Sequence, residues 1–271
     1  MMSNVEHLSA TELDALLRFY ADAGADEVMG VEPVDRFAAK ETASKPAPQR
    51  TISSSPPSPV LAQKAAVVPD QSVADAATHL AAQANDLERL RDALSGFDGC
   101  NLKATARNLA FEGGRRDADI MIVGGAATRD DDANGVPFSG PDGVLLKNMF
   151  AAIDLDIVDQ TYQALCVPWA PPGGGPPTPI HLNILKPFII RQIELAAPKH
   201  LIIMGNVAAK HLIDPKRMIL KLRGENFDLS FGDWNGIALV MHEPSYLREQ
   251  PSAKRVTWHD LLAFKKQLTP G

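Results

Sequence analysis

The chain has 271 residues, 45% of them hydrophobic and 22% charged, with a formal net charge of −6. That composition is the one expected of a soluble globular protein with room for one large domain or two small ones. No apolar run reaches the ~18 residues of a membrane span, so no membrane role is expected. The N-terminus, MMSNVEHLSATEL, has neither the basic nor the apolar region of a secretory signal, which points to the cytoplasm. Two cysteines, Cys100 and Cys166, make no CxxC pair and no disulfide framework, and both read as buried apolar residues. Charge is uneven along the chain: residues 1–98 sum to −7, 99–180 to −4 and 181–271 to +5. A basic last third on an acidic protein is a candidate phosphate-facing surface.

Residues 9–24 read as a short helix. Ser9 and Glu12 form a capping box, and Leu13, Leu16, Leu17 and Tyr20 fall on one stripe. Residues 40–70 hold six prolines, several serines and almost no large apolar side chains. Such a segment cannot sustain a core and is expected to be a disordered linker. The expected organisation is therefore an N-terminal helical appendage at 1–39, a linker at 40–71 and an α/β domain at 72–271. The appendage reads as a docking element for a protein partner.

Residues 72–95 are Ala-rich and predict one helix, with Ser72 and Asp75 as its capping box. Strands then alternate with helices. Ala118–Val123 leads through a long polar loop to a helix at Asp142–Ile153. Tyr162–Val167 leads through PWAPPGGGPPTP to a helix at Ile180–Ala196. His200–Met204 ends at Gly205-Asn206, which caps a helix at Val207–Leu212. A hairpin-like stretch, Leu220–Phe231, follows. Ile237–Met241 leads through HEPSYLREQP to a last helix at Ser252–Leu268. This alternation predicts parallel βαβ units with right-handed crossovers: a three-layer αβα sandwich around a four-stranded parallel sheet. All four strand ends then open on one edge, where ligands bind in open α/β sheets.

The segment from Met121 to Gly140, MIVGGAATRDDDANGVPFSG, carries the most chemistry. Three aspartates, Asp130, Asp131 and Asp132, hang beyond the first strand, and Phe138 sits on a Pro-flanked turn. Carboxylates beside an aromatic platform suit a flat, polar ligand. The same aspartates could instead hold Mg²⁺, since hard carboxylates suit that ion, but no Walker-type lysine or GxGxxG accompanies them.

Several segments, in order, resemble the uracil-DNA glycosylase superfamily, in particular its family 4-like bacterial branch. They are Gly135-Val136-Pro137-Phe138-Ser139-Gly140, Pro168-Trp169-Ala170-Pro171-Pro172-Gly173, Pro187-Phe188 through Pro198-Lys199, and Pro244-Ser245-Tyr246-Leu247. The resemblance spans residues 97–268. It implies a DNA-binding enzyme that flips a base out of the duplex and hydrolyses its glycosidic bond. It implies Gly125, Ala126, Phe138 and Leu165 around the base, with Phe138 stacking on it. It also departs from the family at several places. The family's glutamate after the first strand falls on Gly125, and its following Pro-Gly on Ala127-Thr128. Its second acid falls on Asp131, its base-reading asparagine on Leu165, and its histidine before Pro-Ser on Glu243, with His242 one place earlier. The family's four iron–sulfur cysteines are missing. Cys100 matches the first region, but others fall on residues such as Trp169 and Leu185, so no cofactor is expected.

Within that frame Asp131 is the candidate carboxylate that positions water and offsets charge on the sugar. His242 is the candidate donor to the charge growing on the base. Loss of the asparagine at Leu165 removes a bidentate partner for the base edge, and pairing of that kind carries ~10⁴-fold discrimination. DNA grip is expected from Lys221 and Arg223 in the basic third. Ser245, Tyr246, Leu247 and Arg248 match the family's intercalating loop. The alternative to an enzyme is a relative that kept the fold and DNA binding but lost the chemistry.

Overall fold

The computed structural model describes residues 71–268, which lie within a compact unit spanning Ala62–Gly271. The helix expected at 9–24 and the linker up to residue 70 lie outside the described residues. The Ala-rich segment forms two helices rather than one, α1 (Gln71–Gln83) and α2 (Leu87–Gly96). The break falls at Asn85-Asp86, where the Asp86 side chain accepts a hydrogen bond from the Arg89 N–H at 2.7 Å and restarts the helix. Ser72 lies inside the first turn of α1 rather than before it.

The sheet has six strands: β1 (Gly113–Gly114), β2 (Ile120–Ala126), β3 (Thr161–Val167), β4 (His200–Met204), β5 (Asn226–Phe231) and β6 (Trp234–Met241). Their order is β1-β3-β2-β4-β6-β5. The four central strands are parallel and coincide with the four expected from the sequence. The edges add what the sequence pattern did not separate. β1 pairs antiparallel with β3, and β5 pairs antiparallel with β6 across a tight turn at Gly232-Asp233. The hairpin-like stretch thus resolves into a 3₁₀ turn at Ile219–Lys221 and the edge strand β5.

Both sheet faces are covered, which is why the central strands read as near-continuous apolar runs (IMIVGGA, HLIIM) instead of alternating. One face packs under α1, α2, α5 (Pro179–Ala196) and α6 (Gly205–Leu212), with Met121, Val123, Leu201, Ile203 and Val240 pointing toward them. The other packs under α4 (Gly140–Ala151) and α8 (Lys254–Leu268), with Ile120, Ile122, Ile202 and Leu239 pointing there. Among the described residues no helix is long and apolar enough to cross a membrane.

The stretch after β2 is not a loop throughout. It contains a short helix, α3 (Arg129–Asn134), capped by Thr128 and stopped at Gly135, whose φ of 69° is the left-handed conformation that glycine adopts freely. Helix α6 begins directly on β4 at Gly205, earlier than the expected Val207. A further helix, α7 (Pro244–Glu249), occupies the segment between β6 and α8.

Candidate functional site

The register of the parallel strands sets the site. Gly124 on β2 pairs with Leu165 on β3, Val123 with Ile203 on β4, and Met204 with Met241 on β6. The residues that follow emerge side by side: Gly125 and Ala126, then Gly205, then His242 and Glu243. Phe138 returns to this edge from the far end of α3. A Cβ on Gly124 would lie 2.8 Å from both the Phe138 ring and the Leu165 side chain. Only a bare backbone lets those two side chains close over the strand end. Phe138 also lines a cavity of about 350 Å³ with Gly114, Val136, Lys147 and Gln163. Of the expected base-binding residues, Gly125 and Leu165 are buried, whereas Ala126 and Phe138 are part-exposed.

Phe138 has a φ of 54°, a conformation that costs an ordinary residue ~1–2 kcal/mol. Asp131 holds it there. This carboxylate, expected to act on water, is instead 2% exposed and fully engaged. Its Oδ1 accepts from the Ser139 N–H at 2.6 Å, and its Oδ2 accepts from the Thr128 N–H at 2.7 Å and the Thr128 hydroxyl at 2.8 Å. The bond from the Thr128 N–H belongs to the capping box of α3, whose other half is the Asp131 N–H donating to the Thr128 hydroxyl at 3.2 Å, and the bond from Ser139 pins the residue after Phe138. Burial raises the Asp131 pKa while these donors oppose the rise. Its neighbours diverge. Asp132 accepts from the backbone N–H groups of Arg107 and Asn108 at 2.8 and 3.3 Å, while Asp130 leans over Gly140. The three aspartates do not converge on one point, and among the described residues no group of three potential ligands could hold a metal ion.

Gly125, where the resemblance puts a glutamate, has no room for a side chain. A Cβ there would lie 2.9 Å from the Val207 Cβ on α6. His242, expected as the donor to the base, is 2% exposed and turns toward α8. Its Nδ1 lies 3.1 Å from the Thr257 hydroxyl, its ring lies 4.9 Å from that of Tyr246, and its Nε2 is buried without a partner. Burial lowers its pKa, with Arg223 adding to the effect. The next residue, Glu243, was not singled out for chemistry from the sequence. Its side chain leans across the end of β4, and a Cβ on Gly205 would collide with its Oε2. Burial, then the charges of Asp142 and Glu249, push its pKa up to about 7.

The expected DNA-contacting residues separate into two groups. Leu247 is 1% exposed and packs between α4 and α8, so it is a core residue rather than a free wedge. Tyr246 is the exposed apolar side chain of α7, and Ser245 beside it is half-buried. Arg248 binds Asp142 at 2.8 Å. Arg223 makes a two-pronged, largely buried pair with Asp260, at 2.6 and 3.1 Å, and donates to the Val256 carbonyl at 2.8 Å. Lys221 is exposed. The sequence pattern also missed a polar cavity of about 640 Å³ between the start of α3 and the Pro/Gly loop after β3, lined by Arg107, Arg129, Asp132 and Pro171–Gly174. Arg107 sits upstream of β1, so only the folded chain brings it to Arg129.

An iron–sulfur cluster does not fit these residues. The chain has two cysteines, and the buried Cys100 and Cys166 lie in one apolar cluster in which Trp169 and Leu185 also pack. Burial pushes the Cys166 thiol up to about 12, away from the thiolate that a cluster requires.

The family model described as the uracil DNA glycosylase superfamily matches residues 111–262. The chain is 25% identical over 186 residues to the type-4 uracil-DNA glycosylase of Sulfurisphaera tokodaii, covering 67% of this chain and 83% of that protein. It is 33% identical over 115 residues to the type-4 uracil-DNA glycosylase of Archaeoglobus fulgidus, covering 42% of this chain and 57% of the relative. It is 27% identical over 180 residues to that of Thermotoga maritima, covering 65% and 91%. The matched region runs from just before β1 into α8 and includes the carboxyl ends of the four parallel strands, Phe138 and Glu243, while Arg107 lies outside it. The chain belongs to the uracil DNA glycosylase superfamily.

Proposed function

We propose that this protein is a DNA glycosylase that takes a uracil or related damaged base out of the helix and hydrolyses its N-glycosidic bond. Membership of the superfamily supports the class of reaction. The observation that carries the reading is the Phe138 turn. An aromatic ring is held at energetic cost on the carboxyl edge of the sheet, against the bare backbone of Gly124 and the Leu165 side chain. Such a ring suits stacking on an extruded base, worth ~1–3 kcal/mol. Asp131 serves this platform by positioning it. Arg107, Arg129 and Lys221 suit phosphate contacts, and Tyr246 suits the gap left by the departed base. Leu165 offers the base edge no polar partner, so selectivity among bases is weaker than a bidentate side chain provides.

A second reading, a DNA-binding relative without chemistry, is favoured by one observation: Val207 fills the space a side chain at position 125 would need. One assay separates the two. The full chain is incubated with single- and double-stranded oligonucleotides containing one uracil, and abasic sites are read by alkaline cleavage. Enzyme-dependent cleavage at the uracil is expected. Binding without cleavage on either substrate would leave the second reading.

A further inference from the structure

Glu243 follows His242 between the last strand and α7, and its side chain does not behave like a helix cap. It occupies the N-cap position of α7 with φ −76° and ψ 152°, yet forms no cap hydrogen bond. Instead it crosses the end of β4, where Gly205 leaves the space its carboxyl fills. Among the described residues this carboxyl has no hydrogen-bonding or ion-pairing partner. The neighbours that could have neutralised it are committed elsewhere. Arg248 is bonded to Asp142, and His242 is turned to Thr257. The charged groups acting on it are Asp142 on α4 and Glu249 on α7, both anionic, while β4 and α6 present the uncharged Gly205. A half-buried carboxyl facing two anions keeps its proton to about pH 7. A neutral carboxylic acid at the carboxyl edge of the sheet, over Gly205, is a hydrogen-bond donor, which an ionised one is not.

We propose that Glu243 is the acid of the site: its carboxyl group hydrogen-bonds to the departing base and hands it a proton. The proposal rests on the glycosylase reading above. In the step, the bond between C1′ of the deoxyribose and the base nitrogen breaks, and its electron pair leaves with the base. Charge spreads to the base's carbonyl oxygens, where the acid stabilises it. The proton passes from Glu243 to the base, which departs neutral. The oxygen of one water forms the new bond to C1′, and that water's surplus proton goes to solvent. Solvent returns a proton to Glu243. One water is consumed, and an abasic sugar and a free base are formed.

The test uses the full chain, wild type, Glu243→Gln and Glu243→Ala. Single-turnover abasic-site formation is followed from pH 5.5 to 9, with oligonucleotide affinity by fluorescence anisotropy and folding by circular dichroism. The wild-type rate is expected to fall as pH rises through about 7. At pH 6 the alanine variant is expected to lose ~10²–10⁴-fold with affinity retained. The glutamine variant, which keeps an N–H donor and the shape, is expected to retain part of the rate and lose the fall near neutrality. Alanine activity within about threefold of wild type, or a wild-type rate that climbs through pH 7, overturns the assignment of Glu243 while the glycosylase reading stands. A wild type that binds DNA and forms no abasic site at any pH overturns both.

Discussion

Replacing Asp131 by alanine tests whether this carboxylate is a brace. It accepts three hydrogen bonds at 2.6, 2.7 and 2.8 Å, from two backbone N–H groups and one hydroxyl. A hydrogen bond to a charged group is worth ~1.5–3 kcal/mol, so the gross gain is several kcal/mol. Burying the carboxylate offsets part of it, as the raised Asp131 pKa records. With two backbone N–H groups left without partners, the net loss expected for Asp131→Ala is ~3 kcal/mol. At a urea dependence of ~2 kcal/mol per molar, the unfolding midpoint falls by ~1.5 M. Asparagine keeps an acceptor on one side but sets an amide N–H against a donor on the other, so Asp131→Asn should fall between wild type and alanine. The assay is urea unfolding of the full chain followed by circular dichroism. An alanine midpoint within ~0.3 M of wild type would refute the reasoning, because three such bonds cannot vanish without cost.

Further outcomes follow from the same geometry. Lys221→Glu should weaken DNA binding and flatten its salt dependence by about one unit per lost phosphate contact, with unchanged melting. Arg223→Ala should instead destabilise by ~3–5 kcal/mol, since it strands the buried Asp260 carboxylate; differential scanning calorimetry against anisotropy titrations separates the two. On α7, Tyr246→Ala should cost ~1–3 kcal/mol of DNA affinity with little change in melting, whereas Leu247→Ala should cost ~2–5 kcal/mol of stability, because its side chain is 1% exposed; the same pair of measurements checks both. Glu243 titrates higher in the folded chain, about 7, than the ordinary 4.5. Its contribution to stability is therefore fully present below pH 4.5 and is lost as pH rises through about 7; urea midpoints at pH 5 and 8 should converge in Glu243→Gln relative to wild type.

The order of secondary elements was legible because it rests on local rules. Runs such as His200–Met204 and Tyr162–Val167 are short, largely apolar and bounded by turn residues, the pattern of strands buried on both faces, and their alternation with helices leaves a parallel sheet. Local chemistry that competes with those rules was harder to read. The Asn85-Asp86 break interrupts an otherwise good helical stretch, and α3 hides in a polar run because its apolar face is almost nil. Edge strands were also hard to separate, since β5 alternates polar and half-buried residues with no flanking crossover to mark it.

By itself the sequence determined the parallel core, the shared edge at which four strands end, the family resemblance and the lack of enough cysteines for a cluster. These depend on periodicity, spacing and counting, which are properties of the chain read one stretch at a time. Only the tertiary structure decided what each side chain does at that edge. Asp131 and Asp130 are neighbours in sequence, yet one is consumed by three hydrogen bonds and the other leans over Gly140. His242 and Glu243 are adjacent, yet one turns to Thr257 and the other crosses to Gly205. A side chain's role depends on its burial and on the partners within a few ångströms, and the path of turns, caps and neighbouring strands selects those partners, whether they are close in sequence like Thr128 and Ser139 or distant like Gly205, so one-dimensional pattern cannot supply them.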